Sequence, residues 1–325
     1  MIFDLHCDTL WKIQNTKDGS LQKDSFLQID EEKLFSAGYF AQCFAMYVPA
    51  DTPMPKRTLD ELIARYYQEL VNCERIRPVL AFDDFARNRA EGKISAVLTM
   101  EDACPLCGDI GNLYAVHKKG VKMIALTWNF PNEVGYPNYR GFVRGKKPDM
   151  FTPETERGLT DFGFLLVEEM NRLGIVVDVS HLSDKGFFDV LSVTKKPIMA
   201  SHSNARCVCR NVRNLTDEML FALAENGGVT GINYATGFLC EDEQKGRQTI
   251  DYAVEHIRYI RKKIGVEHIA LGSDFDGIQT DIELSDCSKT PLLLQALERS
   301  DFTTNEIEKI AYKNALRVFR DNMES

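Results

Sequence analysis

Residues 158–183, GLTDFGFLLVEEMNRLGIVVDVSHLS, change their period half-way along, and that change decides the architecture. Phe162, Leu165, Leu166, Met170 and Leu173 recur on one helical face, with Thr160 placed as N-cap and Gly174 beyond the last turn. The next run, residues 174–181, is almost continuously apolar and ends in His181. Such a run suits a parallel strand buried on both faces. A helix leading into a buried strand is the repeating unit of an α/β protein.

The unit recurs in both directions along the chain. Similar runs occupy 2–6, 39–48, 94–101, 122–128, 197–202, 228–234 and 268–274, making eight candidate strands in all. Between them, Ser183 is placed to cap a helix beginning DKGFFDVL, and residues 249–263 read as an amphipathic helix. Thr303 and Glu306 spell a capping box ahead of Ile307, Ile310 and Ala311. Residues 129–159 lack a period and read as a long loop over the active face. Eight strands alternating with helices predict an α/β fold, a (β/α)8 TIM barrel, with one domain over 1–325. An open doubly wound sheet binding a dinucleotide would need a Gly-rich fingerprint after the first strand, and HCDTLWKI has none.

Composition narrows the function. The 325 residues are 44% hydrophobic and 27% charged, ordinary for a soluble enzyme with a large core. A net charge of −9 with no basic run argues against nucleic acid as a partner. No stretch reaches the roughly 18 apolar residues of a membrane span, so no membrane partner is expected. Candidate site residues begin at His6, which leaves no room for a cleavable leader, and VFRDNMES is too polar for a lipid-anchor tail. Nine cysteines, an odd number without framework spacing, point to free thiols in a reducing compartment. The expected location is cytoplasmic. Cys104 and Cys107 have no second pair and read as loop cysteines rather than a redox or zinc motif.

FDLHCDTL, residues 3–10, holds the first chemistry. Alternate strand side chains share a face, so His6 and Asp8 point together and Cys7 points into the packing. A His-x-Asp pair at a strand's C-terminal end is half a divalent-metal site, though alone it is a weak signal. Glu101, His181, His202 and Asp274 then end later strands. Barrel strands converge at that end on one active face, so the set gains weight together. Three of the six histidines lie there; His117, His256 and His268 read as structural. Nitrogen and oxygen donors suit Zn²⁺, and two metals fit better than one, with Glu101 able to bridge. Asp274 is the candidate for relaying a proton to a leaving group. Asp276 is expected to shape the turn after the last strand, with Gly277 relaxing its backbone.

DLHCDTL, TMED, the opening 158–183 segment, ASHSNAR, RNLTDE, LGSDFDG and the closing NALRVF together resemble the membrane (renal) dipeptidase family of the amidohydrolase superfamily. The resemblance spans essentially the whole chain. It implies an amidohydrolase-like barrel with two Zn²⁺ per chain, hydrolysing the peptide bond of small dipeptides by a metal-bridging hydroxide. By position, His6 and Asp8 match the ligands of one zinc, Glu101 the bridging carboxylate, and His181 and His202 the ligands of the second. Asp274 matches the proton shuttle, Arg213 the group that binds the substrate carboxylate, and Tyr234 a substrate-contacting position. The chain departs at Trp128, where vertebrate members carry a substrate-contacting histidine. Tryptophan offers only an indole N–H, so either the neighbouring Asn129 is a replacement donor or the pocket prefers a different residue after the scissile bond. The chain is nearer the soluble microbial branch, which implies dipeptides with a C-terminal D-residue. A deacylase, lactonase or phosphoesterase at the same metals is the alternative, and a non-catalytic metal-dependent binding protein a remoter one. The expected partner is a small dipeptide; a homodimer is allowed.

Overall fold

Nine strands run through the described residues: β1 (Ile2–Asp4), β2 (Tyr39–Tyr47), β3 (Ile76–Pro78), β4 (Ile94–Glu101), β5 (Val121–Ala125), β6 (Val176–Asp178), β7 (Met199–Ala200), β8 (Val229–Ile232) and β9 (Ile269–Leu271). This computed structural model describes every residue except Lys17, Asp18, Arg144, Lys147, Glu243 and Ser325. All pairings are parallel, and β2 joins β4 over Ala41–Tyr47 while β1 joins β9. Eight strands thus close into a barrel, and β3 lies outside the cycle, paired only with the first residues of β4. This is the (β/α)8 barrel expected from the alternation. The sequence missed β3 because Ile-Arg-Pro is too short and too polar to carry a strand period.

The helix Asp161–Leu173 sits where its period puts it, with Thr160 accepting from Gly163 N–H and Gly174 left-handed at the C-cap. Ser183 caps Asp184–Val193 by accepting from Gly186 N–H, and Thr303 and Glu306 form the full capping box. The closing helical run is interrupted by a π turn over Lys309–Lys313 before Asn314–Met323. That last helix seals the barrel's N-terminal mouth. Phe319 stacks on Phe3 at 5.4 Å and tilts against Phe85 at 6.0 Å, with Val318 and Ala315 in the same cluster. With one end plugged, the C-terminal ends of the strands form the accessible end.

Several expected strands ran further than the ladder does. His6, His181, His202 and Asp274 lie two or three residues past β1, β6, β7 and β9; only Glu101 is a terminal strand residue. Two buried aspartates explain the early endings. Asp178 Oδ1 accepts from Ser180 N–H and Ser201 N–H, each at 3.0 Å, in place of ladder carbonyls. Asp4 Oδ1 does the same for Ser273 N–H at 2.8 Å and His6 N–H at 3.4 Å. The chain is released from the sheet, yet held, where it must present a side chain inward.

Candidate active site

The floor of the accessible end is built around one oxygen. Glu101 Oε1 lies 3.0 Å from His181 Nε2 and 3.8 Å from both His6 Nε2 and His202 Nε2. His6 Nε2 is also 3.9 Å from Asp8 Oδ1 and 3.8 Å from Asp274 Oδ1, and the two histidines His181 and His202 approach to 3.0 Å. The six residues read from the sequence as one constellation are brought together. Cys7 points away from the floor, its Sγ donating to Cys43 O at 3.3 Å in the core.

Neighbours fix which histidine nitrogens face the floor. Ser201 Oγ donates to Asp178 Oδ2 at 2.5 Å and is left to accept from His202 Nδ1–H at 2.7 Å. That tautomer turns the Nε2 lone pair inward. His181 Nδ1 has two neighbours, Asn129 Oδ1 at 2.9 Å and Arg213 Nε at 3.2 Å. Arg213 Nε–H donates to Nδ1, which competes with Nδ1–H donation to Asn129 Oδ1; the latter, the shorter contact, is the one that leaves Nε2 bare for a metal. Asn129 thus contacts a histidine through Oδ1 while lining the cavity beside Trp128. Such outer partners set ligand orientation and basicity.

The donor set fits a metal. His6 Nε2 and Asp8 Oδ1 are buried without a hydrogen-bond partner, a state that costs about 1–3 kcal/mol per group when nothing fills it. Burial, then the Arg213 charge, pulls His6 down to about 3, and burial holds His181 and His202 well below the usual histidine range. All three are thus neutral imidazoles with lone pairs to give. The carboxylates move the other way: burial and the Asp274 charge push Asp8 up to about 8, burial raises Asp274 to about 6, and burial with Asp8 raises Glu101. Neutral nitrogens among crowded carboxylates make a site that a divalent cation would relieve.

The turn after β9 is built for crowding. Asp274 and Asp276 adopt left-handed φ of 66° and 68°. Asp276 accepts from Thr9 Oγ1 at 2.7 Å, Lys12 Nζ at 3.1 Å and Gln28 N–H at 2.7 Å, tying the turn to the helix Thr9–Gln14. Asp276 shapes the turn as expected, but Gly277 does not relax it. A Cβ on Gly277 would stand 2.2 Å from Asp8 Oδ2 and 2.8 Å from Asp274 Oδ1, so glycine is there for space.

Above the floor opens a cavity of about 530 Å³, lined by Asp8, Glu101, His181, Asp274, Arg213 and a set of aromatic rings that includes Trp128. Arg213 is 1% exposed, and both its Nη atoms lack partners among the described residues. A buried guanidinium fork without an acceptor is shaped for a carboxylate. Tyr234 is not brought here. Val229 faces the barrel interior, so Gly231 and Asn233 share its side, while Ile232 and Tyr234 pack outward against the helices. Asn233, missed in the sequence, takes the inward place and donates to Asp274 Oδ2 at 2.9 Å. Counting parity from Val229 would have found it.

Two of the three remaining histidines are structural in their contacts: His256 accepts from Ala205 N–H at 3.2 Å and donates to Leu239 O at 3.1 Å, and His268 donates to Gly228 O at 2.8 Å. The nine cysteines are unpaired, Cys104 and Cys107 among them at a short 3₁₀ turn. No described helix is long and apolar enough to cross a membrane.

Comparison with known proteins agrees with this geometry. An uncharacterised dipeptidase of Schizosaccharomyces pombe is 36% identical over 287 residues, 85% of this chain and 65% of that one. The solved dipeptidase AC, a family M19 metallopeptidase, superposes with a TM-score of 0.89 at 27% identity, covering 100% of this chain and 99% of that one. A metallopeptidase from Rhodobacter sphaeroides, solved with a phosphinate mimic of the dipeptide L-Ala-D-Ala, gives 0.87 at 27% identity over 99% of both chains. The family model for membrane dipeptidase, peptidase family M19, matches residues 1–325, and the chain belongs to that family of metallo-dipeptidases, hydrolases of peptide bonds.

Proposed function

We propose that the protein is a zinc dipeptidase for small dipeptides, including those with a C-terminal D-residue. One observation carries the reading: Arg213 presents an unpartnered, buried guanidinium fork in the same cavity as the histidine–carboxylate floor. An anchor for a free carboxylate beside a hydrolytic floor selects a substrate whose C-terminus lies one residue from the scissile bond. His6 and Asp8 would hold one zinc, His181 and His202 the other, and Glu101 would bridge them. Ions bound there supply Lewis-acid polarisation of the scissile carbonyl and a nucleophile from water at neutral pH.

The chain's own groups do the rest. Arg213 fixes the carboxylate end, so the peptide bond is delivered over the floor rather than found by diffusion. Asp274, restrained through Oδ2 by Asn233, keeps Oδ1 toward the floor to pass a proton to the departing nitrogen. Asn129 and the Asp178–Ser201 pair keep His181 and His202 in the lone-pair-inward tautomer. The L-Ala-D-Ala mimic bound by the Rhodobacter relative supports the D-residue, and the unpaired thiols support a cytoplasmic location. A zinc-loaded panel of L,L, L,D and D,L dipeptides tests the reading. Hydrolysis lost in Glu101→Ala and after chelation, and weakened mainly in KM by Arg213→Ala, is expected. An intact panel, or turnover of carboxyl-amidated dipeptides as fast as free ones, refutes it.

A further inference from the structure

The cavity holds more apolar surface than a backbone-gripping site needs. Trp11, Tyr47, Trp128, Phe142 and Phe238 all line it, each half-buried, and none belongs to either hydrophobic core cluster. Four of these rings touch in series, Trp11 to Tyr47 at 6.1 Å, Tyr47 to Trp128 at 4.8 Å and Trp128 to Phe142 at 5.7 Å, while Phe238 lies 5.1 Å from the Arg213 guanidinium carbon. Phe142 continues to Tyr139 at 6.0 Å. Rings that neither fill the core nor meet solvent freely are a wall awaiting an apolar partner.

The wall's position says which side chain it meets. Arg213 and Trp128 flank the same histidine: Arg213 Nε is 3.2 Å from His181 Nδ1, and the Trp128 ring lies 6.2 Å from the His181 ring. A carboxylate on Arg213 therefore sets the adjoining residue in the cavity that Trp128, Phe142 and Tyr139 also line. We infer that Trp128 and Phe142 form a specificity pocket for a large apolar or aromatic side chain on the dipeptide's C-terminal residue. This inference rests on the dipeptidase reading above.

Charge argues against the competing occupant, a cationic side chain stacked on the rings. Among the described residues, the one carboxylate lining the cavity away from the floor, Asp276, is already engaged by Thr9, Gln28 and the Lys12 ammonium. Lys12 thus brings positive charge to that rim, and burying a second cation beside it carries a desolvation cost without a counter-ion.

Two measurements on zinc-loaded protein test the pocket. First, kcat/KM is compared for Ala-Ala, Ala-Phe, Ala-Lys and Ala-Asp, in both stereochemical series at the second residue, for the wild type and Trp128→Ala. Ala-Phe should exceed Ala-Ala by about tenfold or more, and that ratio should fall several-fold in the variant. Second, the chain's only two tryptophans both line this cavity, so their fluorescence reports its occupancy. In Trp11→Phe, which leaves Trp128 as sole emitter, free phenylalanine should perturb emission at about tenfold lower concentration than alanine. Phenylalaninamide, lacking the carboxylate, should perturb it only weakly. Dipeptide hydrolysis with Ala-Ala or Ala-Lys matching Ala-Phe, or an unchanged ratio in Trp128→Ala, overturns the pocket and leaves the dipeptidase reading standing. No hydrolysis of any dipeptide overturns the activity, and the fluorescence titration then still decides the pocket.

Discussion

Replacing Gly277 by alanine separates the site from the fold. The added Cβ would meet Asp8 Oδ2 at 2.2 Å, whereas ordinary contact begins at 3.4 Å, so the carboxylate must retreat by about 1.2 Å. The obstructing atoms are the far ends of two aspartates, and a carboxylate swings aside at little cost to the barrel, in the range of about 1–3 kcal/mol for overpacking. What it leaves is its place beside His6 Nε2 and Asp274. A misplacement near 1 Å at a reacting site costs about 10²-fold. Gly277→Ala should therefore lose about 10²-fold in kcat/KM and bind less zinc, while remaining folded with a modestly lower Tm. The control is Gly272→Ala, whose Cβ would stand 1.8 Å from the Ser201 carbonyl oxygen, between packed strands that cannot yield. That variant should fail to accumulate as folded protein. Dipeptide kinetics, bound-metal content and thermal unfolding on the two variants decide the matter. A Gly277→Ala enzyme with wild-type kcat/KM and full zinc content would show that Asp8 is not confined as described.

Three further outcomes follow from the same geometry. Asn129→Leu, which removes the acceptor from His181 Nδ1, should lower zinc affinity or kcat about 10–100-fold, measured by competition with a chromogenic chelator; an unchanged affinity refutes the orienting role. His256, held by burial at about 4 against an unfolded value near 6.5, binds fewer protons folded than unfolded between those values, so its stability contribution is full above pH 6.5 and lost as pH falls toward 4. That loss is about 3 kcal/mol, and His256→Gln, able to accept from Ala205 and donate to Leu239, should flatten this part of a denaturant-derived stability–pH curve. Chelation should lower Tm by several degrees relative to protein held at free zinc a thousandfold above Kd, a difference of about 4 kcal/mol in calorimetry; coincident melts would argue against a metal on the floor.

The barrel was legible because buried parallel strands write nearly continuous apolar runs, and helices between them write their caps. Thr160, Ser183 and Thr303 all cap as read. The strand ends were not legible, since the run VVDVSH looks uninterrupted although Asp178 has already taken over the ladder's donors. Glu101, His6, Asp8, His181, His202 and Asp274 were found because each is an unusual residue for its position. Asn233 and Asn129 were not assigned their places, because an asparagine near a strand end is common and only its three-dimensional neighbour gives it a task. Tyr234 went astray when positional matching was allowed to outweigh strand parity. Gly277 was assigned to backbone freedom because a steric demand from Asp8, far away in the chain, leaves no trace in local sequence.

The charge balance of the floor connects these residues to the substrate. Asp8, Glu101 and Asp274 offer three carboxylates, the histidines are neutral, and Arg213 is the buried cation beside them. In a site this dry, three neighbouring carboxylates cannot all ionise unaided, which is why burial and mutual repulsion push them upward. One divalent ion would leave the floor negative, and a dipeptide carboxylate approaching Arg213 would still be repelled. Two ions would carry four positive charges against three carboxylates and the hydroxide drawn from water, so a fully loaded floor would be neutral and would leave Arg213 to attract that carboxylate unopposed. Glu101 Oε1, within 3.8 Å of all three histidine Nε2 atoms, is the group that would let two ions share so small a space. On this reading substrate capture is coupled to full metal loading through removal of the floor's negative field, with Glu101 as the residue on which the coupling depends.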